Sequence, residues 1–597
     1  NNPSKEFLKI LERKDLDFIL KIEIPLYHKP VEAKSKLAWY EIADKELNRY
    51  ALGLSYKEIP NKDNERILRL CLFKKFTPKI TLTLAVILLL GFSVSAYINI
   101  SLVHANRALV KQLVDILQKS TLAKQQIEEL IRDREAFQLK LQEKEIHIKN
   151  LEEEKKTILE SQRKRAIAEE EANRKINELL SLIKHLEKER EKLKEKINSL
   201  RTQETQITED LLLLDKKRSS LEKVNIEKMY RWIKVHQNPR TGLILSYEGD
   251  KELHNCSFLY DQALVAIAYT KFSDFERAKK IFDFFRFKAK KVDGGFLNAY
   301  YTNDGQPLEY TVHAGPNIWL GIAIAHYIKR TLDNTYLGLL KEIADWVIKL
   351  QNEDKEGGIR GGPRTEWYST EHNLDAYALF EMVYQITKDS KYKEAYQKII
   401  NWLLLHVYDK PEVPVMRGKG DATIATDTYA WSIASLGPEL LESLGMDPEK
   451  IIEFAEKNCS VEVEYSRPTG EKIKVKGFDF APLRHLARGG VISCEWTAQM
   501  ILAYKLMAKF YENKNLSLKA HYYEAKAQDY LSNLLKLLIS SPSPAGLGEG
   551  CLPYASEDFV DTGHGWTTPK GKSTGSVSST AYTLFAYYGF NPLKFAD

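Results

Sequence analysis

Hydrophobic positions along this chain of 597 residues change their period abruptly, and each change marks a different kind of element. From Ile80 to Val103 there are 24 residues without a charge, fourteen of them Leu, Ile, Val or Phe. At about 1.5 Å rise per residue a helix of that length reaches about 36 Å, enough for a hydrocarbon core of about 30 Å. The pattern predicts a single transmembrane helix over 80–103. Arg66, Arg69, Lys74, Lys75 and Lys79 precede it, whereas Arg107 and Lys111 follow and are soon offset by Asp115. The positive-inside bias then sets residues 1–79 in the cytoplasm and everything after Val103 in the periplasm or outside the cell. Within 1–79, short apolar clusters such as Phe18-Ile19-Leu20 and Leu37-Ala38-Trp39-Tyr40 alternate with charges, which predicts a small helical piece without an assignable function.

Between Gly91 and Pro239 the chain has neither glycine nor proline. There Ile176, Leu179, Ile183, Leu186, Leu193, Ile197, Leu200, Ile207, Leu211, Leu214 and Leu221 follow an alternating three-four spacing, with Arg190, Glu204 and Arg218 filling the polar positions of the register. Ile at one seam position and Leu at the other suits a parallel two-stranded coiled coil, so 104–224 reads as a rod that pairs two copies into a homodimer. The competing reading is a solvated single helix held by charge pairs.

After Val224 the heptads stop and helical amphipathicity takes over. Twelve helices are predicted, near 225–237, 256–270, 274–289, 315–331, 335–351, 371–388, 391–408, 426–441, 447–457, 494–513, 517–539 and 576–590. Short connections alternate with long ones. A weak repeat (Ile281-Phe282-Asp283-Phe284, Ile343-Ala344-Asp345-Trp346, Ile399-Ile400-Asn401-Trp402) recurs once per helix pair. Six hairpins of this kind close into a double-layered ring, an (α/α)6 toroid over 225–597, with an open solenoid as the competing geometry. The whole chain is thereby expected to be all-α: transmembrane helix, coiled-coil rod, toroid. Every long loop precedes an inner helix, so all six gather at one mouth.

Composition narrows the function. Apolar residues make up 44% and charged residues 28%, with a net charge of +6, which excludes wholesale disorder and a polytopic membrane protein. That charge is too dilute over this length to argue for nucleic acid. The five cysteines form no CxxC pair, no metal-ligand cluster is evident, and no cofactor is called for. Topology suggests two disulfides, Cys256–Cys551 across adjacent units and Cys459–Cys494 around one long loop.

The starts of the inner helices carry the candidate chemistry. Glu371 and Asp375 share one helical face, and Asp261, Asp427 and Glu495 lie at the corresponding ends of other inner helices. Helix capping accounts for some of these polar starts but not for a ring of carboxylates. Trp319, Trp367, Trp431, Trp496 and Trp566 cluster at the same end. Indole faces beside several acids suit a sugar, and paired carboxylates are what cleavage of a glycosidic bond requires.

Tyr260-Asp-Gln-Ala263, Asp293-Gly-Gly-Phe296, Gly357-Gly-Ile-Arg-Gly-Gly-Pro363, Trp367-Tyr-Ser-Thr-Glu-His-Asn-Leu-Asp-Ala-Tyr377, Glu495-Trp-Thr-Ala-Gln499, Leu552-Pro-Tyr-Ala555 and Asp561-Thr-Gly-His-Gly-Trp566 resemble the six-hairpin glycosidase superfamily, in particular a bacterial group described only as glycoside hydrolases. The resemblance covers residues 226–597. It implies a glycoside hydrolase, which the expected span at 80–103 would anchor in a membrane to act on an extracytoplasmic poly- or oligosaccharide; among the mouth carboxylates Glu495 and Asp375 are the favoured acid and base, with Glu371, Asp427 and Asp261 in reserve. Trp367, His372, Trp319, Trp431, Trp496, Trp566, His564, Arg360 and Tyr310 form the candidate binding set. A non-catalytic sugar-binding scaffold, a sugar epimerase and a polysaccharide lyase remain open on the same ring; the Thr370–Tyr377 segment is also similar to the histidine-bearing inner helix of N-acylglucosamine epimerases.

Overall fold

A computed structural model of the chain describes residue 9 and residues 17–23, 29–44, 49–58, 60–163, 169–408, 410, 413–467, 470–539 and 550–595. It divides into two units, Asn1–Leu102 and Val103–Asp597.

The first unit holds an antiparallel sheet in place of the expected helical piece. Strands β1 (Asp17–Ile22), β2 (Val31–Asp44) and β3 (Arg49–Glu58) lie in the order β1-β2-β3. The reason is a period of two: Val31, Ala33 and Ser35 are buried while Glu32 and Lys34 face out. Lys21–Glu32 at 3.1 Å and Lys57–Asp17 at 2.8 Å are ion pairs between strands.

Residues 80–103 lie within the helix α1 (Asn61–Arg163), which runs on into charged turns at both ends. Among the described residues no helix is long and apolar enough to cross a membrane. Most side chains of 80–103 are outside the described set. The transmembrane helix, the membrane anchoring and the two-sided localisation are therefore withdrawn.

In the second unit the remainder of α1 runs antiparallel to α2 (Glu169–Val235). Arg134 pairs with Glu204 and Lys144 with Glu189, while Ile148 and Leu151 pack with Ile183, Leu186 and Leu179. Around Leu179–Leu186 the heptad seam thus packs on the chain's own preceding helix, where a parallel second copy was expected. Glu204, a polar interruption of the register, is matched by Arg134.

The last turns of α2 bury Ile226, Met229, Trp232 and Ile233 and serve as the first outer helix of a ring. Inner helices α3 (Leu259–Lys271), α5 (Ala314–Thr331), α7 (Thr370–Thr387), α9 (Thr426–Ser435), α12 (Cys494–Asn513) and α14 (Val577–Tyr588) each pack on the next, and α14 packs on α3. Outside them lie α4 (Phe275–Phe287), α6 (Leu337–Gln351), α8 (Ser390–His406), α11 (Pro448–Cys459) and α13 (Ser517–Leu535). α14 also packs on α2, so the chain's last helix meets its first outer one and closes the circle. Inner helices are buried almost all round, as at Val577–Ala586, whereas outer ones such as α4 bury one stripe.

The stretch expected as one helix over 426–441 is broken: α9 ends at Ser435, and Gly437, with φ +86°, turns the chain into the short α10 (Pro438–Ser443). The fold is also not all-α. Ser460–Ser466 pairs antiparallel with Lys472–Phe478, and short strands at 256–258, 299–301 and 307–309 line the mouth. All five cysteines are free, so neither expected disulfide is formed.

Candidate active site

Five of the six inner helices begin with a device that places the first turn. In the first three, a buried amide exchanges hydrogen bonds with the incoming loop: Gln262 with Ile244, Asn317 with Phe296, Asn373 with Ile359, all between 2.7 and 3.0 Å. Thr497 and Thr580 do the same more simply, accepting from the amides of Phe478 and Leu552. Ser369 and Ser493 cap the amides of His372 and Trp496. With the helices aligned on these residues, Tyr260, Glu371, Glu495 and Ser578 occupy one equivalent position, and Asp261, His372, Asp427 and Trp496 the next. The acids at the mouth are thus a property of the ring's repeat.

These residues surround a cavity of about 1410 Å³ and an adjoining lobe of about 250 Å³. Glu371, Asp427, Trp496, Tyr554 and Trp566 line both; Asp261, Glu495, Tyr260 and Ser578 line the lobe. Trp367 and Trp566 keep 47% and 39% of their surface exposed, so their faces are available to a ligand. On one wall Trp367 stands 5.4 Å from the His372 ring; on the other Trp496, Trp566 and His564 form a cluster with centroids 5.6–6.3 Å apart.

Burial dominates the electrostatics. It raises Glu371 well above the usual carboxylate range, with Asp427, Asp375 and Glu495 adding repulsion and Arg417 opposing it. Asp427 is raised to about 6, again by burial, against the pull of Arg417, the Thr428 amide and a hydrogen bond with Glu371. The mutual repulsion of Glu371 and Asp427 in this buried setting favours a protonated Glu371. Glu495 is raised to about 7 by burial, although Ser578 and the Tyr260 hydroxyl, at 2.8 Å, favour its charged form. Asp261 rises to about 8 for the same reason, opposed by Ser246. Burial and His313 depress His372 to about 3, and burial depresses His564 to about 4, so both rings are neutral acceptors or donors.

Several candidates stand elsewhere. Asp375 lines neither cavity; one turn deeper than Glu371, it is fully buried and accepts from the Trp431 indole at 2.7 Å. Trp319 and Trp431 are core residues beneath the site, 1% and 2% exposed. Arg360 is paired with Glu353, and Tyr310 stands under Lys290; neither lines the cavity. Conversely, Arg417, Asp421 and Tyr247 line it without having been singled out, as does Tyr554, which entered only within the Leu552-Pro-Tyr-Ala555 motif. Arg417 lies 3.2 Å from Asp421 and sits in the loop after an outer helix, where no periodicity marks it.

No family model matches the chain, and no curated protein matches it. Solved structures do. A D-mannose isomerase aligns with a TM-score of 0.44 at 12% identity over 62% of this chain and 97% of its own. An alpha-mannanase of glycoside hydrolase family 76 from Bacteroides thetaiotaomicron aligns at 0.41 and 13% identity over 62% and 95%. A cellobiose 2-epimerase from Bacillus thermoamylovorans gives 0.43 and 11% over 61% and 100%. Both hydrolases and isomerases are among these neighbours.

Proposed function

We propose that residues 225–597 form the catalytic domain of a glycoside hydrolase acting on a poly- or oligosaccharide. The observation that carries this reading is the gathering of three carboxyls, Glu371, Asp427 and Glu495, in one aromatic-walled cavity where burial raises each above the usual carboxylate range. Glu371, protonated, serves as the acid: it gives its proton to the glycosidic oxygen as the bond from that oxygen to the anomeric carbon breaks. Glu495, ionised, takes a proton from the water whose oxygen forms the new bond to that carbon. Asp427 keeps the proton on Glu371 by its charge. Burial strengthens each of these interactions by excluding bulk water. Trp367 and Trp566 offer faces for the sugar rings.

The test is a panel of polysaccharides incubated with the full chain, scored for new reducing ends. Release of oligosaccharides that Glu495→Gln and Glu371→Gln each abolish supports the reading. Turnover that survives both substitutions overturns it.

A sugar epimerase or isomerase is a second reading, favoured by one observation. His372 and His564 both line the cavity with rings that burial keeps neutral, and neutral imidazoles are suited to removing and returning a proton next to a carbonyl. Solvent deuterium appearing in recovered sugar, without new reducing ends, distinguishes it.

A further inference from the structure

Resting on the reading of the cavity as a sugar site, we infer that it accepts neutral or aminated glycans and excludes those carrying carboxylate, sulfate or phosphate groups. The chain as a whole is cationic, with a net charge of +6, yet its cavity is acidic. Beyond the proposed reacting carboxyls it is lined by Asp250, Glu252, Glu309, Glu366 and Asp421. Among the described residues the lysines and arginines lining it are Arg417 and Lys419 alone, and both are engaged, Arg417 by Asp421 and Lys419 by Glu356.

Recognition of an anionic sugar calls for a free guanidinium or ammonium group, and here none is spare. Glu252 and Glu366 are exposed at the wall and, among the described residues, have no ion pair or side-chain hydrogen bond of their own. They are acceptors waiting for a hydroxyl or an ammonium group.

The histidines of the wall add no cation either. The His564 ring, 9% exposed, donates from Nε2 to the Phe480 carbonyl at 2.9 Å, and burial holds both it and His372 neutral. Acids focused in a concave, low-dielectric cleft raise the local concentration of cations and repel anions, more so at low salt.

The experiment measures binding by calorimetry to the full chain carrying Glu495→Gln, which prevents turnover. The probes are cello-, malto- and mannohexaose, the chitosan hexamer, and three acidic counterparts: hexagalacturonate, hexamannuronate and sulfated maltohexaose. At least one neutral or aminated probe is expected to bind about tenfold or more tighter than every acidic one. The gap is expected to narrow at high salt and in the Glu252→Gln/Glu366→Gln variant. An acidic probe that binds as tightly as the best neutral one overturns the inference while leaving a sugar site in place. Binding of neutral probes that the unsubstituted chain never cleaves sinks the hydrolase reading and leaves this inference standing. Binding of no probe overturns both.

Discussion

Arg488 presents both terminal guanidinium nitrogens, each at 2.8 Å, to the carboxylate of Asp479, whose side chain is wholly shielded from solvent. The same carboxylate accepts from the amides of Phe480 and Val491, at 2.7 and 2.9 Å. Arg488 Nε donates to the Asp561 carbonyl, and the Phe480 carbonyl meets His564. The Asp479 carbonyl accepts from the Thr426 hydroxyl, next to Asp427. One buried ion pair therefore knots the loops that carry Asp427, Glu495 and the His564–Trp566 wall.

Arg488→Met is expected to destabilise the ring by about 3 kcal/mol, because it leaves a buried carboxylate with backbone donors alone. Arg488→Lys, which keeps the charge but loses the fork, recovers only part of this. Urea unfolding followed by circular dichroism checks both; a midpoint unchanged in the Met variant means that water or a neighbour replaces the guanidinium.

The pH dependence of turnover follows from the cavity's acids. Activity is expected to rise through about pH 7 as Glu495 ionises and to fall on the alkaline side as Glu371 loses its proton. The charge of Asp427 helps hold that proton, so Asp427→Asn lowers the Glu371 pKa and moves the alkaline limb to lower pH. A pH profile of kcat/KM for the two proteins checks this, and an alkaline limb that does not move removes Asp427 from the role.

How much of this was legible depended on whether a signal was local. Glu371 and Glu495 stand in the first turns of periodic helices, where sequence reading finds them readily. Asp375 misleads because a shared helical face says nothing about depth: one turn further in, that face meets Trp431 instead of the cavity. Arg417 and Tyr554 are brought in by loops whose path no periodicity encodes. The sheet of β1–β3 is written in the alternation of Val31 to Ser35, but over too few residues to outweigh the mixed charges around it.

Asp261 links protonation to stability. Burial raises its pKa in the folded state to about 8, above the ~4 of an unfolded aspartate, so the folded chain holds a proton that the unfolded chain has lost. Stability therefore declines as pH rises from about 4 to 8, the window in which only the unfolded state ionises. Asp261→Asn removes that penalty. Its Tm is expected to equal that of the unsubstituted chain near pH 4 and to exceed it near pH 8; equal Tm values at both would mean that Asp261 is ionised in the fold.

The heptads of α2 state that something apolar covers Ile183 and Leu186, but a seam cannot say whether its partner is another copy or the same chain. The 2.8 Å pair between Lys144 and Glu189 decides for the chain's own α1, since pairing residues on either side of the turn requires an antiparallel hairpin. Lys144→Cys with Glu189→Cys, treated with a short bismaleimide, is therefore expected to crosslink within one chain. On a denaturing gel the product runs as a monomer of altered mobility, and its yield does not depend on protein concentration. A parallel dimer would instead keep positions 144 and 189 far apart along the rod, so the double variant would give no intrachain product. A dimer band growing with concentration would show that the seam belongs to a second molecule.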